Sequence, residues 1–446
     1  MGNRGKSPLF IIFTTIFVDL IGFGIVLPLL PFYAEYFGAP PYQIGLLVAS
    51  FSLMQFLFTP LWGRLSDRYG RRPIILMSLV ASSVSYLAFG FATSLFVLFL
   101  SRIFAGIASA SISAAQAYIS DVTTTETRAK GMGIVGAAFG LGFIFGPILG
   151  GLLSEPGAIF HFVSIAYSSI GSLLGHPKLL GSHWLEVTGK SFGALPRYDV
   201  PAYFASLLCL ANAGLAYFRL PESLHRAERN EVARQRAFSI RSFINALSHP
   251  HVGVLILLYF LITFATAITY ATFPLFFKET LKVGTVENGY LLTYLGFIGV
   301  IVQGGLIGYV VQLLGERIPV VIGIAITTGG FILLTLFTGW TSVLLSLALM
   351  GVGQGIAAPN ILSLVTKFTT ATEHGGILGV NASLSSLARV LGPVWGGAAY
   401  SYWGMHSPFF TGAVVLGMTF LLSFRVLHER YDTVPGEASI GEETGE

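Results

Sequence analysis

The chain has 446 residues, of which 54% are hydrophobic and only 10% are charged. Soluble domains carry about 25% charged residues, so the composition excludes a disordered chain, a disulfide scaffold and a soluble multidomain enzyme. The single cysteine cannot form an internal disulfide, and basic loops account for the net charge of +4 without a nucleic-acid surface. The composition indicates a polytopic membrane protein.

Twelve stretches are long and apolar enough to cross a bilayer, which takes about 20 mostly apolar residues. They lie near residues 8–34, 43–63, 74–93, 95–119, 131–154, 199–220, 251–277, 286–312, 318–337, 341–366, 375–398 and 407–427. The first stretch carries Asp19 at its middle and has no small-residue cleavage site, so we expect it to remain as span 1. The predicted fold is an all-α polytopic membrane protein with twelve transmembrane helices.

Basic residues predict the orientation of the chain. With both termini in the cytoplasm, 18 of the 25 lysines and arginines fall in cytoplasmic segments and 5 in outer segments. Lysine and arginine concentrate on the cytoplasmic side of membrane proteins. We therefore expect an integral protein of a bacterial inner membrane with both termini in the cytoplasm.

The two halves of the chain repeat each other. GRLSDRYGRRP from Gly63 aligns with GYVVQLLGERIP from Gly308 at an offset of 245, and GPILGG at 146–151 aligns with GPVWGG at 392–397 at an offset of 246. This indicates two pseudo-symmetric six-helix bundles, at 1–220 and 251–427. We expect an extracytoplasmic insertion at 156–198 with an interfacial helix at 160–174, a cytoplasmic linker at 221–250 and a disordered acidic tail at 428–446.

Three ionisable residues fall deep within spans: Asp19 in span 1, Arg102 in span 4 and Arg389 in span 11. Charges inside a bilayer are costly, which makes them functional candidates. Asp19 is a candidate for binding and releasing a proton, the alternative being a structural carboxylate that holds helices together. Arg102 is expected to face the interior on a stripe with Gly106, and Arg389 either pairs with Asp19 or meets an anionic substrate group.

Other polar residues within the spans are candidates for lining a substrate cavity or for helix–helix hydrogen bonds. They are Gln55, Gln116, Gln303, Gln354, Asn360 and Asn381.

The segment 63–73 after span 2 is the most specific motif in the chain, with Gly63, Asp67, Arg68, Gly70, Arg71 and Arg72. Gly63 lets a neighbouring helix approach, Asp67 can accept hydrogen bonds from a helix N-terminus, and the arginines are poised for carboxylates. We interpret it as a latch at the cytoplasmic side. In span 5, Gly146 and Pro147 lie in a run of glycines, which predicts a tightly packed, bent helix. The added hypothesis is that this bend is also a moving part.

These motifs resemble the major facilitator superfamily and, within it, drug:proton antiporters similar to tetracycline-resistance exporters. The run 63–73 resembles the superfamily's signature loop, and the runs VDLIGFGIVLPLLP (18–31), LSRIFAG (100–106), GLGFIFGPILGG (140–151) and LPES (220–223) resemble the antiporters' signatures. The resemblance implies alternating access. It also implies that Asp67 with Arg71 latches the cytoplasmic side, Asp19 and Arg102 serve proton coupling, and Gly146 and Pro147 control gating.

The leading interpretation is proton-coupled export of a drug-like amphipathic molecule by a monomer in a lipid membrane. Gln312 stands at the repeat position of Asp67, so only one half carries the full charge cluster. Spans 3 and 9 hold no acidic residue, where tetracycline exporters would be expected to keep carboxylates, which argues against tetracycline itself. A lipid or glycolipid translocase is the alternative, suggested by Arg389. An integral-membrane enzyme is a remote alternative because no metal-ligand spacing and no nucleophile elbow occur, and no cofactor, metal or nucleic acid is expected.

Overall fold

The computed structural model describes residues 8–109, 111–123, 128–155, 157, 197–224, 250–369 and 374–428. Within these ranges, twelve helices are long and apolar enough to cross a membrane, which confirms the predicted all-α membrane fold. The predicted interfacial helix at 160–174, most of the linker and the acidic tail lie outside the described residues.

The twelve spans are single helices, except for three that are interrupted. Spans 1 to 6 are Pro8–Val26 with Leu30–Tyr36, Pro41–Tyr69, Arg71–Gly90, Leu95–Ala108 with Ser111–Val122, Arg128–Ser154 and Asp199–Arg219. Spans 7 to 12 are Pro250–Leu281, Thr285–Leu314, Arg317–Leu336, Trp340–Lys367, His374–Trp403 and Ser407–His428. Span 8 contains a π-helical turn at Val302–Leu306.

Span 2 extends further than its apolar stretch predicts. It continues as helix to Tyr69, so most of the motif at 63–73 lies on a helix rather than in a loop. The turn to span 3 is made at Gly70, whose φ of 109° is in a region that glycine adopts without steric cost. The chain therefore turns within one residue, and Arg71 opens the next helix beside the end of span 2.

The two halves pack their helices in the same way. Span 1 packs on spans 5 and 6, and span 3 on spans 4 and 6; correspondingly, span 7 packs on spans 11 and 12, and span 9 on spans 10 and 12. Contact between the halves is made chiefly by span 2 with span 11 and by span 5 with span 8. These two contacts are related by the sequence repeat.

Glycines let the backbones of the two halves touch. Gly45 in span 2 lies against the carbonyl oxygen of Pro393 in span 11, and Gly289 in span 8 lies against the carbonyl oxygen of Pro147 in span 5. A Cβ atom on Gly289 would lie 2.5 Å from that oxygen. Both proline positions obey the 246-residue offset. These two glycine junctions set how closely the halves approach.

Polar contacts join the halves at the same end of the bundle. Lys278 Nζ donates to Glu35 Oε2 at 2.8 Å, and the Tyr42 backbone N–H donates to Ser401 Oγ at 2.9 Å. Ser154 Oγ lies 2.7 Å from Thr285 Oγ1. We call this the closed end.

At the other end, glycines of the same four spans have open space beside them. A Cβ atom added to Gly63, Gly136, Gly308 or Gly376 would meet no atom of the described residues within 4 Å. One of these glycines lies on each of spans 2, 5, 8 and 11. We call this the open end; it carries Tyr69, Arg71 and the repeat of their motif.

We expect Gly289→Ala to destabilise the protein, because the added methyl group meets a backbone oxygen that cannot rotate away. Overpacking of this kind costs about 1–3 kcal/mol, seen as a lower thermal unfolding midpoint of the purified protein. Gly299→Ala is the matched control on the same span, where a Cβ meets no atom of the described residues within 4 Å. Equal midpoints for the two variants would contradict a tight junction at Gly289.

Candidate functional site

A cavity of about 450 Å³ lies between the two halves. Cavities of roughly 300–1,000 Å³ accommodate drug-sized ligands. Its wall brings together five residues predicted from sequence: Asp19, Gln55, Arg102, Gln116 and Arg389. They come from spans 1, 2, 4 and 11, so both halves contribute to the cavity, the first half more than the second.

Four other predicted polar residues do not belong to the cavity wall. Gln303 is exposed within the π-helical turn of span 8. Asn360 is buried and donates to the carbonyl of Ile356 in its own helix at 2.7 Å. Gln354 and Asn381 each bury one side-chain atom without a hydrogen-bond partner. The sequence identified them as polar but not which face of each helix they occupy.

Tyr86 of span 3 lies in the cavity wall between span 1, which carries Asp19, and Arg102 of span 4. Asp19 and Arg102 are 8% and 2% exposed, and Tyr86 lines the cavity with them. The Tyr86 hydroxyl packs against span 1, since a Cβ on Gly22 would lie 2.8 Å from Tyr86 Oη. The Arg102 guanidinium lies 5.9 Å from the centre of the Tyr86 ring.

Arg102 is a buried cation with unused hydrogen-bond donors. Its guanidinium lies 4.9 Å from the centre of the Phe89 ring, a distance at which cation–π attraction contributes. Among the described residues, Arg102 Nε and Nη2 are buried and have no hydrogen-bond partner. A buried charge is usually paired, and this guanidinium lines the cavity without a carboxylate bound to those two atoms.

Arg389 faces the cavity from the second half. Its Nη2 donates to Ser386 Oγ, one turn earlier on span 11, at 3.0 Å. Among the described residues, no carboxylate forms an ion pair with Arg389. The predicted pairing of Arg389 with Asp19 is therefore not present in this conformation, and the other alternative, an anionic substrate group, stays open.

The sequence analysis missed most of the cavity's apolar and hydroxyl lining. Phe23, Phe51, Phe143 and Tyr270 contribute aromatic rings, and Ser52, Thr59, Ser82, Ser109, Ser113 and Ser386 contribute hydroxyl groups. Helical spacing would have found some of them. Ser52, Gln55 and Thr59 follow at intervals of three and four on span 2, which places them on one face.

Gly106, on the predicted stripe of span 4, makes a close contact between helices. It lies four residues after Arg102 and packs against the Phe51 backbone and Met54 of span 2. The cavity face of this span carries Arg102, Ala105, Ser109, Ile112, Ser113 and Gln116.

Arg71 organises a charge cluster at the open end of the first half. The side chain is fully buried. Its Nη1 pairs with Asp67, and its Nε donates to Asp121 Oδ2 at 3.1 Å. The Arg71 backbone N–H donates to Glu222 Oε1 at 2.9 Å. This cluster ties the ends of spans 2, 3, 4 and 6 into one unit; Asp121 and Glu222 were not identified as part of the latch from sequence.

The neighbouring arginines of the motif lie outside this cluster. Arg68 lies over the ring of Tyr69, 5.6 Å from its centre, and Arg72 lies over the ring of Tyr217 in span 6 at 5.5 Å. Both are stacking contacts within the first half.

The second half carries the same bridge with its charges exchanged. Glu316 occupies the repeat position of Arg71 and Lys367 that of Asp121, and Lys367 Nζ lies 3.0 Å from Glu316 Oε2. Gln312 stands where the counterpart of Asp67 would be. The ion pair that joins Glu316, just before span 9, to Lys367, at the end of span 10, is kept. The second half thus keeps one ion pair at this end, whereas the cluster with Asp67, Asp121 and Glu222 belongs to the first half.

We expect Asp121→Asn to destabilise the protein more than Glu316→Gln. Both carboxylates are 17% exposed, but Arg71 is 0% exposed whereas Lys367 is 62% exposed. Loss of Asp121 removes one of the two carboxylates that pair with the buried Arg71, and a hydrogen bond to a charged group contributes about 1.5–3 kcal/mol. An exposed pair contributes about 0–1 kcal/mol. Thermal unfolding midpoints of the two purified variants measure the difference. A larger decrease in midpoint for Glu316→Gln than for Asp121→Asn would contradict the conclusion that the buried Arg71 needs its carboxylate partner more than the exposed Lys367 does.

Glu155 lies beside the closed end, just beyond span 5. Thr285 Oγ1, at the start of span 8 in the other half, donates to Glu155 Oε1 at 3.1 Å. Burial raises the pKa of the Glu155 carboxyl above its ordinary value, the Thr285 hydrogen bond opposes this, and the nearby Glu287 carboxylate raises it further. The Glu155 carboxyl therefore holds its proton more tightly where the halves meet than it would in water.

The raised pKa of Glu155 predicts a pH-dependent stability. The folded protein holds this proton more tightly than the unfolded chain, so ionisation of Glu155 lowers the free energy of unfolding. This effect is absent below the ordinary pKa of 4.5 and grows as the pH rises to the raised pKa of the folded protein. We expect Glu155→Gln to unfold at a higher temperature than the wild type near pH 8, and the advantage to vanish near about pH 4. A pH-independent difference in midpoint would contradict this.

Comparison with known proteins identifies related sequences and structures. The family model of the Major Facilitator Superfamily matches residues 12–307 and 304–444. Multidrug resistance protein 2 of Bacillus subtilis (strain 168) is 28% identical, over 94% of this chain and 95% of its own length. Tetracycline resistance protein, class E, of Escherichia coli is 31% identical, over 85% of this chain and 84% of its own length.

A solved structure also shares the fold. A bacterial homologue of the human lysosomal transporter Spinster, in an inward-facing and unoccupied conformation, superposes with a TM-score of 0.75 over 97% of this chain and 100% of that chain. At 16% sequence identity, this likeness concerns the fold alone. The matched proteins are transporters rather than enzymes.

Proposed function

This chain belongs to the Major Facilitator Superfamily of transporters, and on that premise we propose that it exports an amphipathic small molecule in exchange for protons. The observation that carries the proposal is the cavity between the halves, which combines aromatic rings with Asp19 and Arg102. A carboxylate in a cavity that opens to one side at a time can take up a proton on one side of the membrane and release it on the other.

We propose that the open end faces the cytoplasm of a bacterial cell. Most lysines and arginines fall in segments that the sequence assigns to that side, and the motif at 63–73 lies at the open end. The structure would then represent the state that receives substrate from the cytoplasm. Rotation of the halves about spans 2, 5, 8 and 11 would close the open end and separate the glycine junctions.

In this proposal, Asp67 and Arg71 stabilise the first half as a rigid unit whose free surface meets the second half when the open end closes. Gly63, which has open space around it here, would become a contact in that state. Gly146 and Pro147 would act at the other end: Gly146 packs on Gly24 of span 1, with a Cβ position 2.5 Å from the Gly24 Cα. A change in the bend of span 5 would then move the junction at Gly289.

The proposal is tested with purified protein in liposomes that have an acidic lumen. Three fluorescent probes share one dansyl group and differ in charge: dansylglycine is anionic, its amide is neutral and dansylcadaverine is cationic. A proton-coupled antiporter accumulates at least one of them in the acidic lumen beyond the level in protein-free liposomes. We expect Asp19→Asn to lower this accumulation about tenfold or more, because asparagine cannot carry the proton.

Asp199→Asn is the matched control for this substitution. It removes an aspartate at the closed end, where Asp199 pairs with Arg197 at 2.8 Å, and we expect it to leave accumulation within about twofold of wild type. Accumulation that is equal with and without the pH gradient, or that survives Asp19→Asn unchanged, would contradict proton coupling through Asp19.

A further inference from the structure

The charged side chains of the cavity wall restrict the charge of a substrate. Among the described residues, three charged side chains line it: Asp19, Arg102 and Arg389. An exchanger binds its substrate after the proton has left, and in that state, with Asp19 ionised, these side chains still carry one net positive charge. This charge disfavours a cationic substrate and favours an anionic one.

Arg102 and Arg389 differ in burial and in the hydrogen bonds that they make within the protein. Arg102 is 2% exposed, and among the described residues its Nε and Nη2 atoms have no hydrogen-bond partner. Arg389 is half-buried and uses Nη2 on the neutral hydroxyl of Ser386. Guanidinium groups form their strongest hydrogen bonds with carboxylate, sulfonate or phosphate oxygens. Both guanidinium groups line the cavity and no ion pair to either is seen in the described part of the chain, so the geometry points to an anionic group in the cavity as their partner.

The remaining wall suits an apolar body. Phe23, Phe51, Phe143 and Tyr270 present aromatic rings to the same space, and the volume of about 450 Å³ corresponds to a small organic molecule. An aromatic or aliphatic body would pack on these rings while its anionic group reaches the guanidinium groups.

We infer that this cavity selects amphipathic organic anions, with the anionic group bound by Arg102 of the first half and Arg389 of the second half. The inference rests on the proposed function and specifies its substrate class. Because the two arginines belong to different halves, an anion that contacts both links the halves at the cavity. Substrate binding then favours closure of the open end.

Equilibrium binding to the detergent-purified protein tests this inference without a proton gradient. The probes are again dansylglycine, its amide and dansylcadaverine, and the readout is the dissociation constant from dansyl fluorescence. We expect dansylglycine to bind about tenfold or more tightly than its amide, because an uncharged ligand leaves the two guanidinium charges of the cavity wall without a counter-charge. Dansylcadaverine should bind most weakly.

Substitutions assign this preference to the two arginines. Arg102→Gln and Arg389→Gln should each bring the carboxylate-to-amide affinity ratio close to unity, and Arg389→Lys should restore part of it. The ratio is measured on one preparation, so a fraction of unfolded protein does not alter it. Arg425→Gln, which removes an exposed arginine near the end of span 12, is the matched control and should keep the ratio.

The outcomes are distinct. Amide or dansylcadaverine binding as tight as dansylglycine binding, or a ratio unchanged in both glutamine variants, overturns the inference. Anion-selective binding together with failure of gradient-driven transport contradicts the proposed proton-coupled export and leaves the anion site in place.

A competition assay identifies the source of the anionic group. Displacement of dansylglycine by oleoyl-lysophosphatidylglycerol, and not by uncharged monoolein, supports an anionic lipid headgroup as the ligand. Displacement by soluble aromatic carboxylates alone supports a free organic anion. Both results retain the anion site.

Discussion

The architecture depends on two contacts in which backbone meets backbone across the halves. At Gly45 and Gly289, a helix approaches a proline carbonyl of the opposite half so closely that a single methyl group would collide. Small residues permit such approach between membrane helices, where the hydrophobic effect supplies no driving force for association. Because these junctions hold spans 2 and 5 to spans 11 and 8 at one end only, the halves diverge at the other. The cavity is a consequence of that divergence.

The repeat governs the scaffold but not the chemistry. The glycine junctions and the bridges at the open end recur in both halves, and Glu316 with Lys367 reproduces the link of Arg71 with Asp121 after exchange of the charges. The charged cavity residues have no such counterparts: Ala265, Ala348 and Phe143 stand at the positions that the 246-residue offset assigns to Asp19, Arg102 and Arg389. Symmetric elements carry the conformational change that we propose, and asymmetric ones determine which ions and molecules are bound.

Two buried arginines of the first half show how placement decides the role of a residue type. Arg71 is surrounded by Asp67, Asp121 and Glu222, so its charge is neutralised within the protein and holds four helix ends together. Arg102 has aromatic rings beside it, and two of its donors have no partner in the described part of the chain. A buried guanidinium is costly unless it is paired, and in our inference a substrate anion supplies that pairing for Arg102.

The sequence by itself determined the twelve spans, the duplication and the three charges at membrane depth, because hydrophobic length and the cost of burying charge are properties of the chain alone. It also identified Asp67 and Arg71, whose spacing of four places them on one helix face. Only the tertiary structure decided that Gln55 and Gln116 face the cavity while Gln303 and Asn360 do not, and that Asp121 and Glu222 complete the cluster around Arg71. Which side chains face the cavity depends on the rotation of each helix about its axis, and packing fixes that rotation. The cluster around Arg71 brings together residues about 50 and 150 positions apart in the chain, which local sequence does not encode.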